Sequence, residues 1–295
     1  MIGEILALSS ALCYAIAAVL YKKALRTTGY FTTLLVSTLF AALFILMILP
    51  MTQHQLSRLT FNLIALIIIA EVIGLGIGDT LYFVGLKKIG VSRTISISSS
   101  YPLYSIILAT LFLNEGLTIA VIVATPLIVA GIAIVSLSQN KERITASNSK
   151  VTLLGIISSI VAAVFWGIAL TILKVVLNSG NVDPILVAFF GRLALLPLLL
   201  LVVIASGESG QLRRLTKLDI TVFGIAGILS SGLGVIMLFT SLSMIDASIA
   251  IPLSSITPFI SILLASFYIR EKVGFKIIVG TSLIVTGIVL LIVFV

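Results

Sequence analysis

Three ionisable side chains stand where the chain is otherwise most apolar: Glu71, Asp79 and Arg192. Glu71 and Asp79 belong to EVIGLGIGDT, residues 71–80, inside the apolar run 63–85, and Arg192 belongs to the run 184–206. Moving such a charge to the centre of a bilayer costs at least about 2.5–3.5 kcal/mol on insertion scales, so it persists where it faces protein or water. Burial disfavours the charged form of a carboxylate, so an acid there can load and release a proton. It can also recognise a cationic or amino-bearing substrate. A third reading pairs Glu71 with Arg192 and pins two parts of the chain together. Arginine's fork takes carboxylate or phosphate bidentately, so Arg192 could instead hold an anionic substrate group. Glu71 and Arg192 facing one cavity would suit a zwitterion such as an amino acid. The sequence leaves these readings open.

Spacing gives the first hint of position. At about 100° per residue, Glu71, Gly74 and Gly78 share one helical stripe, and Asp79 falls about 80° away. Gly74 and Gly78 form a small-residue face that lets helix backbones approach closely, so Glu71 is expected to point into the bundle. Asp79, nearer the membrane surface, could be solvated or bonded to a neighbouring helix end. Other polar groups cluster in SRTISISSSYPLYS, from Ser92, and DASIAIPLSSITPFIS, from Asp246. Their hydroxyls could line a polar cavity, with Ser99, Tyr101, Tyr104 and Ser255 as wall candidates, or simply pack kinked helices. Pro102, Pro252 and Pro258 each remove a backbone donor and are kink or gating candidates. Tyr14 and Trp166 could stack on a substrate or serve packing. Glu115 and Glu271 read as helix-end residues, and Lys22 and Lys174 as side chains that snorkel to headgroups.

The elements that carry these residues are dictated by composition. Apolar residues make up 60% of the 295 and charged residues only 9%, against roughly 45–50% and 25% in soluble domains. The mean hydropathy is +1.32. Such a chain must use lipid as its solvent, and continuous apolar runs of about 20 residues make spanning helices. Ten runs are expected, near 2–21, 31–50, 63–85, 93–113, 117–138, 151–173, 184–206, 219–241, 247–269 and 273–294. The basic residues sit in short loops, which argues against a nucleic-acid partner. Cys13 is the single cysteine and His54, in TQHQLSR, the single histidine. No metal site and no cofactor is therefore expected, and little is left for nucleophilic chemistry. No His-x-x-Glu-His, Gly-x-Ser-x-Gly or phosphate-loop motif occurs, so an enzyme or an ATP-driven pump is not expected.

The chain also repeats itself. A constant shift of 156 residues pairs Pro102 with Pro258, Glu115 with Glu271, Thr125 with Thr281 and Gly131 with Gly287. It likewise pairs Gly76 and Gly78 with Gly232 and Gly234; a shift of 152 pairs Gly3 with Gly155, Tyr14 with Trp166 and Lys22 with Lys174. The division expected is a first five-helix unit over 1–138, a polar linker over 139–150 and a second unit over 151–295. An odd number of helices per unit inverts one copy relative to the other. The charges agree. Lys22, Lys23, Arg26, Lys87, Lys88 and Arg93 flank loops 1–2 and 3–4, whereas Arg213, Arg214, Lys217, Arg270, Lys272 and Lys276 flank loops 7–8 and 9–10. With Lys141, Arg143 and Lys150 of the linker, one membrane side collects fifteen of the eighteen basic residues. By the positive-inside rule that side is cytoplasmic, so both termini of this multi-pass cell-membrane protein are expected to face outward.

On these features the chain resembles the drug/metabolite transporter superfamily, in its ten-helix EamA-like branch with two EamA repeats. The resemblance rests on Pro102/Glu115 and Pro258/Glu271 closing the fourth and ninth helices. It rests also on Gly131 after TPLIVA, Gly280 and Gly287 around TSLIVT, and the aromatics Tyr14 and Trp166. The first unit departs in having Tyr where tryptophan is usual, and its second helix has no counterpart of Arg192. The resemblance implies a secondary carrier of a small metabolite with a central cavity lined by helices 1–4 and 6–9, helices 5 and 10 lying outside. Alternating access, with proton or cation coupling, is the expected mechanism. A channel or a lipid scramblase is the alternative, and an intramembrane enzyme a more distant one.

Overall fold

The computed structural model describes residues 1–24, 28–51, 59–89, 91–138, 149–179, 182–269 and 275–294. His54, Glu271 and most of the linker lie outside these residues. The described residues are all helical outside their connecting turns, with no strand. Seven helices are long and apolar enough to cross a membrane, and three shorter apolar helices complete a set of ten among the described residues. The helices are α1 (Ile2–Ala24), α2 (Tyr30–Ile48), α3 (Phe61–Glu71, Val72–Gly78 and Asp79–Ile89), α4 (Val91–Ser98 and Tyr101–Leu113) and α5 (Ile119–Ser138). The second set is α6 (Ser149–Asn178), α7 (Pro184–Ala205), α8 (Lys217–Gly227, Ile228–Gly234 and Val235–Met244), α9 (Ala247–Ser254 and Thr257–Ile269) and α10 (Phe275–Phe294). Large apolar side chains such as Met47, Phe112, Ile119 and Phe294 are exposed on the outer surface, as lipid-facing residues should be.

Irregularities recur at the repeat spacing. Val72–Gly78 in α3 and Ile228–Gly234 in α8 are both π-helical, and the two stretches are related by the same 156 residues. The expected single helices at 93–113 and 247–269 are instead each broken once, at Ser99–Ser100 and at Ser255–Ile256. Pro102 sits in the first turn of the second half of α4 and Pro258 is the second residue of the matching half of α9. At such positions a missing N–H leaves nothing unpaired. Pro252 lies inside the first half of α9. Carbonyls around the breaks are bonded locally by side chains: Ser100 Oγ donates to Ile97 O at 2.7 Å, Ser255 Oγ to Pro252 O at 2.7 Å and Thr257 Oγ1 to Ser254 O at 3.0 Å. Part of the serine and threonine content thus bonds backbone at the breaks, which lipid would not do.

Contacts between the copies obey a two-fold relation. A Cβ placed on Gly131 of α5 would lie 2.6 Å from Gly280 O of α10, and one on Gly287 would lie 2.8 Å from Ala124 O. Each contact is the other with the copies exchanged. As α5 advances, its partners on α10 recede, so these equivalent helices run antiparallel. The same holds elsewhere: a Cβ on Gly78 would meet Trp166 Cδ1 at 2.9 Å, and a Cβ on its counterpart Gly234 would meet Tyr14 Cε1 at 3.2 Å. Antiparallel packing of α3 on α6 makes α6 antiparallel to α1, the inversion expected of two five-helix copies.

Candidate functional site

The three membrane charges meet in one place. Arg192 Nη2 on α7 donates to Glu71 Oε1 on α3 at 2.5 Å. Both residues are 3% exposed. The close approach depends on Gly191, where a Cβ would lie 2.5 Å from the same Glu71 oxygen. Arg192 Nε has no hydrogen-bond partner among the described residues and is fully enclosed. Of the readings open for Glu71, the structure realises the ion pair.

Asp79 is held differently. Its Oδ1 accepts from Trp166 Nε1 of α6 at 2.9 Å and its Oδ2 from the Tyr30 hydroxyl of α2 at 3.2 Å. Both donors are neutral, and no cation pairs with Asp79 among the described residues. Asp79 is 8% exposed, so it is neither solvated nor tied to a helix end. The π-helical stretch accounts for this. A π-bulge adds about one residue to a turn and so retards the helix by roughly 100°. The 80° offset expected for a regular helix then shrinks to about 20° in the opposite sense, and Asp79 comes under Glu71.

Glu71, Asp79 and Arg192 line a cavity of 390 Å³ between the two copies. Its other walls include Tyr14 of α1, Tyr101 of α4, Trp166 of α6 and an apolar side made by Leu75, Leu170, Val235 and Phe239. A second cavity of 320 Å³ shares Tyr101 and Trp166 with the first, and is lined by Ser98, Ser99, Ser255, Thr257, Pro258 and Ser261 at the breaks of α4 and α9. The rings of Tyr101 and Trp166 meet edge to face, 6.0 Å apart and at 89°, and stand between the two spaces. No residue of α2, α5 or α10 is among the lining residues of either cavity. Of the wall candidates, Tyr14, Trp166, Tyr101, Ser99 and Ser255 reach a cavity. Tyr104 lines neither and packs instead against Gly167 of α6.

Two residues outside the cavity fix one end of the bundle. Lys174 does not snorkel: it is 4% exposed, and its Nζ donates to Leu242 O at 2.6 Å and Ile245 O at 2.9 Å. These are carbonyls that the end of α8 leaves unpaired. Glu115, beyond the end of α4, accepts from Ala247 N at 2.8 Å and Ser248 N at 3.0 Å at the start of α9. Both placements follow the sign of the helix dipole. Burial, and then the Glu115 charge, raises the carboxyl of nearby Asp246 above its ordinary range, against the opposing effect of Lys174. No local pattern in the sequence marks Tyr30 as a partner of Asp79: it stands at the start of α2, 49 positions away in the chain.

The model of the EamA-like transporter family matches this chain twice, over residues 1–137 and 153–293. An uncharacterized transporter of Archaeoglobus fulgidus is 23% identical over 293 residues, covering 99% of this chain and 98% of its own. A solved crystal structure superposes with a TM-score of 0.83 at 16% identity, covering 99% of each chain; this likeness speaks to the fold.

Proposed function

Because this chain belongs to the EamA-like transporter family, we propose that it is a secondary active carrier that moves a small amino-bearing metabolite by alternating access. That it is a multi-pass membrane transporter follows from the family and the apolar helices; substrate, coupling and mechanism are our reading. One observation carries it: a 390 Å³ cavity, walled by both inverted copies, holds Glu71, Asp79 and Arg192, the three charges that the described residues bury in the middle of the apolar runs. A cavity between inverted repeats is where rocking of one repeat against the other exposes a fixed site first to one side and then to the other. We assign proton exchange to Asp79. Glu71 already shares its charge with Arg192, whereas among the described residues Asp79 is met only by neutral donors. An amino acid as substrate would require Arg192 to exchange Glu71 for the substrate's carboxylate. We place both termini on the non-cytoplasmic side, from the distribution of basic residues.

The test is flux in proteoliposomes preloaded with an unlabelled amino-acid and amine mixture. A carrier shows saturable tracer uptake that is accelerated from the opposite side. A channel or scramblase shows neither saturation nor counterflow, and that result would remove the carrier reading. Asp79→Asn, assayed at saturating substrate, should lose acceleration by an imposed pH gradient; an unchanged response to the gradient would take the proton away from Asp79.

A further inference from the structure

The central cavity is unevenly charged. Glu71 and Arg192 neutralise each other, and the remaining charge-bearing group among the described lining residues is Asp79, more than nine-tenths buried and without a cationic partner among the described residues. A carboxylate can accept about four hydrogen bonds, and the two donors to Asp79 leave room for more. The cavity it lines also presents the aromatic rings of Tyr14, Tyr101 and Trp166, the Ser231 hydroxyl and a largely apolar wall. Tyr101 and Trp166 form a right-angled corner. A ring face attracts a cation, tryptophan most strongly, and more so when water is excluded. Acid and aromatic corner therefore ask for the same thing, a positive charge, while Leu75, Leu170, Val235 and Phe239 ask for a hydrocarbon body. Among the described residues that line the cavity the one cationic side chain is Arg192, and its Nη2 is already given to Glu71.

From this geometry we infer that the Asp79 carboxylate, in the corner made by Trp166, Tyr101 and Tyr14, binds the ammonium head of a hydrophobic primary amine. The inference rests on the reading of the central cavity as the substrate site. It narrows the substrate class to one in which the amine is essential and a carboxylate is not.

Trp166 is the single tryptophan of the chain and donates to the proposed ligand group, so its fluorescence reports on the site directly. Purified protein titrated with phenethylammonium should show a saturable change in Trp166 emission. The neutral isostere 2-phenylethanol, the anion 3-phenylpropanoate and the zwitterion phenylalanine should each bind roughly tenfold more weakly or worse, as expected for loss of a charge-assisted contact. Asp79→Asn should weaken phenethylammonium by a similar factor. If 2-phenylethanol matches the ammonium, or if Asp79→Asn binds it as well as the parent does, the inference is overturned. Should Asp79→Asn not fold, the ligand series on the parent protein decides alone. Binding without counterflow of any amine would sink the carrier reading and leave the site standing. Counterflow of a substrate that phenethylammonium does not displace would do the reverse.

Discussion

Glu71 and Arg192 show how a chain this apolar retains charge in its interior. Taking two ions out of water is expensive, and their attraction in a dry site offsets that only while both are present. Glu71→Gln leaves Arg192 buried without its countercharge. Thermal denaturation in detergent should therefore show the single variant destabilised by about 3–5 kcal/mol, with Glu71→Gln/Arg192→Leu recovering part of the loss. A single variant as stable as the parent would mean the pair holds nothing together. The pairing was one of the readings the sequence left open, because two complementary groups in apolar runs have few other partners but either could also serve a ligand. The partners of Asp79 were not legible. Trp166 lies 87 positions away in the chain and Tyr30 49, and no local pattern announces either. Lys174 misled for a related reason: a lysine at a helix end usually reaches headgroups, but here the end of α8 presents it with unpaired carbonyls.

The ten elements were readable from apolar length, since a spanning helix must be about 20 residues long and satisfy its own backbone. Their irregularities were not. A π-helical turn has no distinctive composition, and the glycines of Val72–Gly78 read equally well as a packing face. That turn nevertheless decides where Asp79 points. The broken α4 and α9 were foreshadowed by Pro102, Pro252 and Pro258, yet the breaks fall beside the prolines, at serines able to bond nearby carbonyls. Gly78 offers a test at this scale. An added Cβ would lie 2.9 Å from Trp166 Cδ1, tighter than van der Waals contact allows. Gly78→Ala should displace the indole, shift its emission and lower phenethylammonium affinity. The counterpart Gly234→Ala, facing Tyr14 at 3.2 Å with no carboxylate to lose, should leave the emission nearly unchanged. Equal responses from the two variants would mean the indole is not positioned by this contact.

At the scale of the molecule, symmetry and asymmetry divide the work. The scaffold is a pair: matched π-helical stretches, matched helix breaks and a Gly131–Gly280 contact that repeats itself across the two-fold. The charges are not paired. Glu71 and Asp79 have Gly227 and Val235 as their counterparts 156 residues on, so one copy supplies the acids and the other supplies Arg192 and Trp166. In the carrier we propose, a symmetric scaffold around an asymmetric site would present the same binding groups to both sides. The most direct test places one cysteine in the cavity wall, Leu75→Cys in a Cys13→Ser background, and applies a membrane-impermeant maleimide to sealed, oriented vesicles from each side in turn. Labelling from either side is the predicted result. Labelling from one side only, with and without amine present, would contradict alternating access.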